Sequence, residues 1–192
     1  KKTANNLWGN SASVLVGDFL YSRAFQLITQ INNSRVLASL ANATNILSQS
    51  EILQLLSCHN TNIDETYCLK IIQGKTGTLF SIAAEQAAIL SHRTEEEISA
   101  MANYGLHLGI AFQLVDDALD YSGSTLRLGK RQGDDLAEGK PTLPLIYALQ
   151  RANAEQGQLI QKAISSGGQE HLAAVIAIIK STKAIEYTHQ LA

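Results

Sequence analysis

Gly109-Ile110-Ala111-Phe112-Gln113-Leu114-Val115-Asp116-Asp117-Ala118-Leu119-Asp120 is an apolar run closed by three carboxylates. The apolar residues occupy so much of a helix circumference that neighbouring helices must enclose them. Aspartates in such a place are costly unless a cation compensates them. Residues i and i+4 share a helix face, about 5–6 Å apart at Cβ, so Asp116 and Asp120 point the same way. Asp117 lies about 100° round from Asp116 and reaches the same space or braces it. Gln113 sits one turn earlier on that face. The pattern suits Mg2+, which prefers oxygen ligands shared with substrate phosphates. The alternative is a solvated acidic helix end, which the apolar approach from Leu108 to Val115 disfavours.

Downstream, Leu128-Gly129-Lys130-Arg131-Gln132-Gly133-Asp134-Asp135-Leu136-Ala137-Glu138-Gly139-Lys140 forms a glycine-punctuated charged loop. Glycines beside Lys130 and Lys140 let the backbone approach a ligand, and ammonium groups suit phosphate as point charges. Acids for a metal followed by bases for phosphate state a chemistry. Upstream, Ile72-Gln73-Gly74-Lys75-Thr76-Gly77-Thr78 invites a P-loop reading. That motif requires a glycine where Leu69 stands and a strand leading in, so it is rejected. Lys75 and Thr76 remain a phosphate-binding pair in mid-helix, although an ordinary surface lysine fits the residues equally well. Asp18, between Gly17 and Phe19, reads as a buried structural acid at a close helix contact.

Helical periodicity dominates the rest. It predicts helices over Ala12 to Ile31 and Val36 to Leu56, and from Asn62 to about Leu90. Another runs from a capping box at Thr94 and Glu97 through Asp120. Lys140-Pro141-Thr142-Leu143-Pro144 opens a further helix, since proline suits a first turn. Ser165-Ser166-Gly167-Gly168 is a break, and Glu170 to Lys180 reads as the last short segment. Both prolines lie at or after Pro141, so the first 140 residues hold none. No alternating run argues for a strand, and the expected fold class is an all-α bundle with a central helix.

The 192 residues suffice for one domain with a core, and hydrophobic residues make up 45% of them against 17% charged. The net charge of −2 argues against a general nucleic-acid binder. Cys58 and Cys68 make no disulfide scaffold, so a reducing cytoplasm is the simplest expectation. No uninterrupted apolar run approaches the roughly 18 residues of a membrane span, and stable membrane insertion is not expected.

Gly17-Asp18-Phe19-Leu20 with Ala24-Phe25, Lys75-Thr76, Phe112 through Asp120, and Gly129-Lys130 through Gly139-Lys140-Pro141-Thr142-Leu143-Pro144 occur in one order. Together they resemble the trans-isoprenyl diphosphate synthases, most closely the bacterial long-chain, octaprenyl type. The resemblance implies an isoprenoid-synthase helical bundle around a cavity, a homodimer, and Mg2+. It implies condensation of isopentenyl diphosphate with an allylic diphosphate such as farnesyl diphosphate, giving an all-trans polyprenyl diphosphate for quinone side chains. It assigns Asp116, Asp117 and Asp120 to the second aspartate-rich motif as metal ligands and catalytic groups, with Asp135 a further acid of the metal cluster. It assigns Lys75, Thr76, Gln113, Lys130 and Lys140 to the allylic diphosphate, with Lys75 also catalytic.

The family's first aspartate-rich motif, the arginine pair after it and the early homoallylic residues have no counterpart here. The expectation is a single polyprenyl synthase domain over 1–192 lacking its N-terminal helices and C-terminal end, and inactive alone. A non-catalytic subunit of a heteromeric synthase is the runner-up. It is disfavoured by the intact acids and lysines, and a terpene cyclase ranks behind both.

Overall fold

The computed structural model describes residues 4–122 and 132–192, in two compact units, Lys1–Asn42 and Ala43–Ala192. Every regular element among the described residues is helical. The first unit holds α1 (Ala4–Gln30) and the start of α2 (Ser34–Ser57). α1 begins earlier than its apolar spacing suggests, because Gly9 at φ +79° joins a short preceding piece across a kink. Asn33 starts α2, its side-chain oxygen accepting the N–H groups of Arg35 and Val36. No residue of α1 is buried, and Val14, Leu15, Phe19 and Leu20 stand exposed. Two expectations fail here. Asp18 is exposed, and a Cβ at Gly17 would meet nothing within 4 Å, because none of the described residues packs against that face.

The second unit contains α3 (Glu65–Ile72), α4 (Thr78–Leu90) and α5 (Glu95–Ser122). Asp64, not Asn62, caps α3, accepting the Tyr67 N–H at 2.8 Å. The single helix expected up to Leu90 is broken by a π-helical turn, Gln73–Gly77, in which the Thr78 N–H reaches back to the Gln73 carbonyl. Thr94 and Glu97 form the predicted capping box at the start of α5.

Further along the chain come α6 (Asp134–Ala137), α7 (Leu143–Arg151) and α8 (Ala154–Ser166). Pro144 lies in the first turn of α7, as its fixed φ favours. Asn153 and Gln156 form a second capping box, and Gly167 at φ +62° ends α8. α9 (Leu172–Ser181) is followed by a helix the periodicity did not show, α10 (Ala184–Leu191). α10 docks through Tyr187, which stacks on Tyr147 at 4.0 Å between centroids and donates its hydroxyl to the Glu65 carboxylate at 2.9 Å.

α5 is the central helix of this unit, packing against α3, α4, α6, α7 and α10. Leu114 and Ala118 on it are fully buried, and Tyr121 nearly so. It also contains an 18-residue window of mean hydropathy 1.2, so by length and composition alone it is apolar enough to cross a membrane, which the reading of uninterrupted runs overlooked. The expected enclosure of this run is only partial: Leu114, Asp117 and Ala118 are buried, whereas Leu108, Phe112 and Asp116 stand exposed, because neighbouring helices cover one side of α5 among the described residues.

Candidate active site

A close approach of α4 and α5 sets the geometry. A Cβ on Gly109 would lie 2.8 Å from the Gly77 Cα, and one on Gly105 would fall on the Phe80 backbone. Glycine at these positions lets the two backbones touch, and it brings the π turn against α5. A π turn is a recurrent device at functional sites, since its extra residue re-aims neighbouring side chains. Here the Thr76 hydroxyl donates to Gln113 Oε1 at 2.9 Å, and Gln113 Nε2 donates to Asp117 Oδ1 at 2.8 Å. The Gln113 amide is therefore used at both ends, joining the turn to the acid.

Asp116, Asp117, Asp120, Lys75, Thr76, Gln113, Asp135 and Lys140 line one cavity of about 490 Å3 in the second unit. Ile71, Ile72 and Leu119 give it an apolar wall. Asp116 is exposed, Asp120 half-buried and Asp117 only 5% exposed. Burial pushes the Asp117 carboxyl up to about 7, against the opposing hydrogen bond from Gln113. Asp135 is pushed up to about 6 by burial and by Asp120, with Lys140 acting in the opposite sense. Asp120 is also raised by burial, countered by backbone N–H groups. Both its carboxylate oxygens accept those groups, from Asp134 at 3.3 Å and Asp135 at 3.2 Å. Asp120 thus anchors the start of α6, a task the sequence did not suggest.

Lys75 Nζ donates to Gln54 Oε1 at 2.7 Å and pairs with Glu51 at 3.3 Å. Lys140 pairs with Glu138 and, at 4.0 Å, with Asp135. Burial works against its charge, but Glu138 and Asp135 together act the other way and the Lys140 pKa is raised. Lys130 lies outside the described residues. Glu51, Gln54, Gln132, Asp134 and Glu138 are site neighbours that motif reading missed. One signal was available: Glu51, Gln54 and Ser57 recur every third residue along a stretch of α2 otherwise rich in Leu and Ile.

No group of three His, Cys, Asp or Glu among the described residues is close enough to hold a metal ion unaided. The acids still fit a divalent cation. They are oxygen donors only, and among the described residues Asp117 is nearly buried with no cationic partner in hydrogen-bond range and the acids outnumber the lysines around the same space. A hard cation that keeps waters and takes one or two carboxylates plus substrate oxygens needs no closed protein cage.

Comparison with known proteins shows the family. The polyprenyl synthetase family profile matches residues 1–181. The octaprenyl diphosphate synthase of Haemophilus influenzae is 48% identical over 188 residues, covering 97% of this chain and 57% of its own. That of Escherichia coli K12 is 44% identical over 193 residues, covering 100% and 60%. Among solved structures, the polyprenyl synthase of Caulobacter crescentus CB15, complexed with calcium and isoprenyl diphosphate, superposes with a TM-score of 0.93 at 40% identity. It covers 98% of this chain and 58% of that one. The chain belongs to the polyprenyl synthetase family, and it spans less than two thirds of the length of the relatives it matches.

Proposed function

We propose that the protein is a prenyltransferase that condenses isopentenyl diphosphate with an allylic diphosphate, farnesyl diphosphate being the favoured primer. The product is a long-chain all-trans polyprenyl diphosphate for quinone side chains, made in the cytoplasm. The observation that carries this reading is the single cavity shared by the acids of α5, Lys75 and Thr76 of the π turn, and Lys140. Relatives at 44–48% identity named octaprenyl diphosphate synthases support the long-chain product.

Mg2+ would be held by Asp116, Asp117, Asp120 and Asp135, and it supplies positive charge that stabilises the departing diphosphate. Lys75 and Lys140 bind diphosphate oxygens and add fixed positive charge where negative charge develops. The second Gln113 Nε2 proton can reach the same group, and the Thr76 hydroxyl can donate to it on giving up its bond to Gln113. The allylic C1–O bond breaks, and its electron pair leaves with the diphosphate. The isopentenyl double bond supplies the electrons of the new C–C bond, and a proton is then lost, the released diphosphate being the nearest base. Ile71, Ile72 and Leu119 exclude the water that would quench the allylic cation.

A homodimer fits the exposed apolar side chains of α1, the surface we read as covered by a second copy. The test of the activity is incubation of the intact protein with farnesyl diphosphate, labelled isopentenyl diphosphate and Mg2+, with products sized by chromatography. Labelled products longer than the primer are expected. Asp116→Ala should lower turnover about 10²-fold or more. Near-normal turnover in that variant would remove Asp116 from the metal site.

A further inference from the structure

We infer that His59, in the turn after α2, is a positioning residue that holds Lys140 at the cavity. The inference rests on the reading of Lys140 as a diphosphate ligand. His59 has φ +62°, a left-handed conformation that histidine adopts more readily than most residues. In it, the His59 backbone N–H donates to the Gly139 carbonyl at 2.7 Å. The imidazole lies directly over Gly139, where any Cβ would fall on the ring. Gly139 is itself at φ +69° and is buried.

The other end of the clasp is α8. Nδ1 of His59 lies 3.0 Å from the Ile164 carbonyl. That oxygen can only accept, so Nδ1 carries the proton and Nε2 is the free ring nitrogen of the neutral form. Ile164 stands in the last turn of α8, where carbonyls have no partner within the helix. His59 thus ties the segment before Lys140 to a rigid helix end. The next peptide carries the Lys140 N–H to the Asp135 carbonyl at 2.9 Å, so the lysine is fixed from both sides. The tie from Nδ1 crosses 105 residues of sequence, and no motif announces it.

The test measures binding of pyrophosphate with Mg2+ to the intact protein by calorimetry, in H59F, H59N, K140Q and H59F/K140Q, each first checked for native circular dichroism. Phenylalanine keeps the bulk over Gly139 but lacks the donor and tolerates the left-handed φ poorly. Asparagine accepts that φ and offers an amide N–H where Nδ1 stands. H59F should bind about tenfold more weakly and raise KM for the allylic diphosphate while kcat changes little. H59N should return binding to within about threefold of wild type, and H59F/K140Q should bind no worse than K140Q. Wild-type affinity in H59F, or an equal loss from H59F in the K140Q background, would overturn the positioning role. Wild-type affinity in K140Q would instead overturn the reading of Lys140, and this inference with it.

Discussion

At the scale of single residues, Asp117 is the most informative group. Its carboxyl is nearly buried, and burial lifts its pKa from 3.8 to about 7. In the unfolded chain the proton leaves near 3.8, whereas the folded protein holds it to about 7. Between these values the native state binds more protons than the unfolded one. Stability therefore falls as pH rises across this window. Asp135, raised to about 6, acts in the same sense. The midpoint of thermal unfolding in EDTA should drop between pH 4 and 7, and Asp117→Asn should flatten that drop. Excess Mg2+ at pH 8 should restore the midpoint by binding the charged form. A pH dependence unchanged by Asp117→Asn would show that the carboxyl titrates normally.

Lys75 makes a second argument at this scale. Held by Glu51 and Gln54, it keeps its position without substrate, but Glu51 competes with diphosphate for its charge. Lys75→Ala should lower kcat/KM by about 10²–10³-fold, as removal of one donor to developing negative charge does elsewhere. Lys75→Arg should recover only part of it, because a planar guanidinium cannot replace a compact ammonium held between Glu51 and Gln54. Steady-state kinetics in the intact protein checks both.

Elements carry the site because α4 and α5 touch. Gly105 and Gly109 stand one turn apart on α5, and with Gly77 they let the backbones approach beside the Phe80 side chain. Gly105→Ala drives a methyl into the Phe80 backbone, which cannot yield as a flexible side chain would. The expected cost is about 1–3 kcal/mol of stability, from overpacking set against the usual gain of alanine over glycine in a helix. Gly109→Leu should cost more and break the Thr76–Gln113 hydrogen bond by moving the turn away. Urea unfolding followed by circular dichroism, with pyrophosphate binding alongside, measures both effects. A stabilised Gly105→Ala would show that the two helices do not approach this closely.

For the whole molecule, the question is what covers α1. Leu15, Phe19 and Leu20 are each exposed by 60% or more, which is a large apolar surface to leave in water. Phe19→Asp with Leu20→Asp should convert a dimer of the intact protein to monomer in sedimentation velocity at micromolar concentration. A wild-type protein that sediments as a monomer would dispose of the homodimer. The apolar stretch of α5 belongs to the same scale. One face of this stretch, with Leu114, Asp117 and Ala118, is enclosed by other helices, while Tyr104, Leu108 and Phe112 on it stand exposed.

The sequence by itself determined the helical class, the Thr94–Glu97 cap, the first turn of α7 around Pro144, and the meeting of Asp116, Asp117, Asp120, Asp135, Lys75 and Lys140 at one cavity, while Lys130 lies outside the described residues. These are local facts: capping, ring geometry and side-chain period act over a few residues, and a dense run of charge within apolar helix has few physical solutions. Tertiary structure alone decided the rest. The π turn, the Lys75 tether to Gln54, the second task of Asp120 and the His59 clasp each join residues distant in sequence or turn on a one-residue change of helix pitch. α10 escaped notice because its apolar face is short and docks through the Tyr187–Tyr147 stack. Asp18 and Gly17 misled because a local apolar pattern does not say whether anything is packed against it.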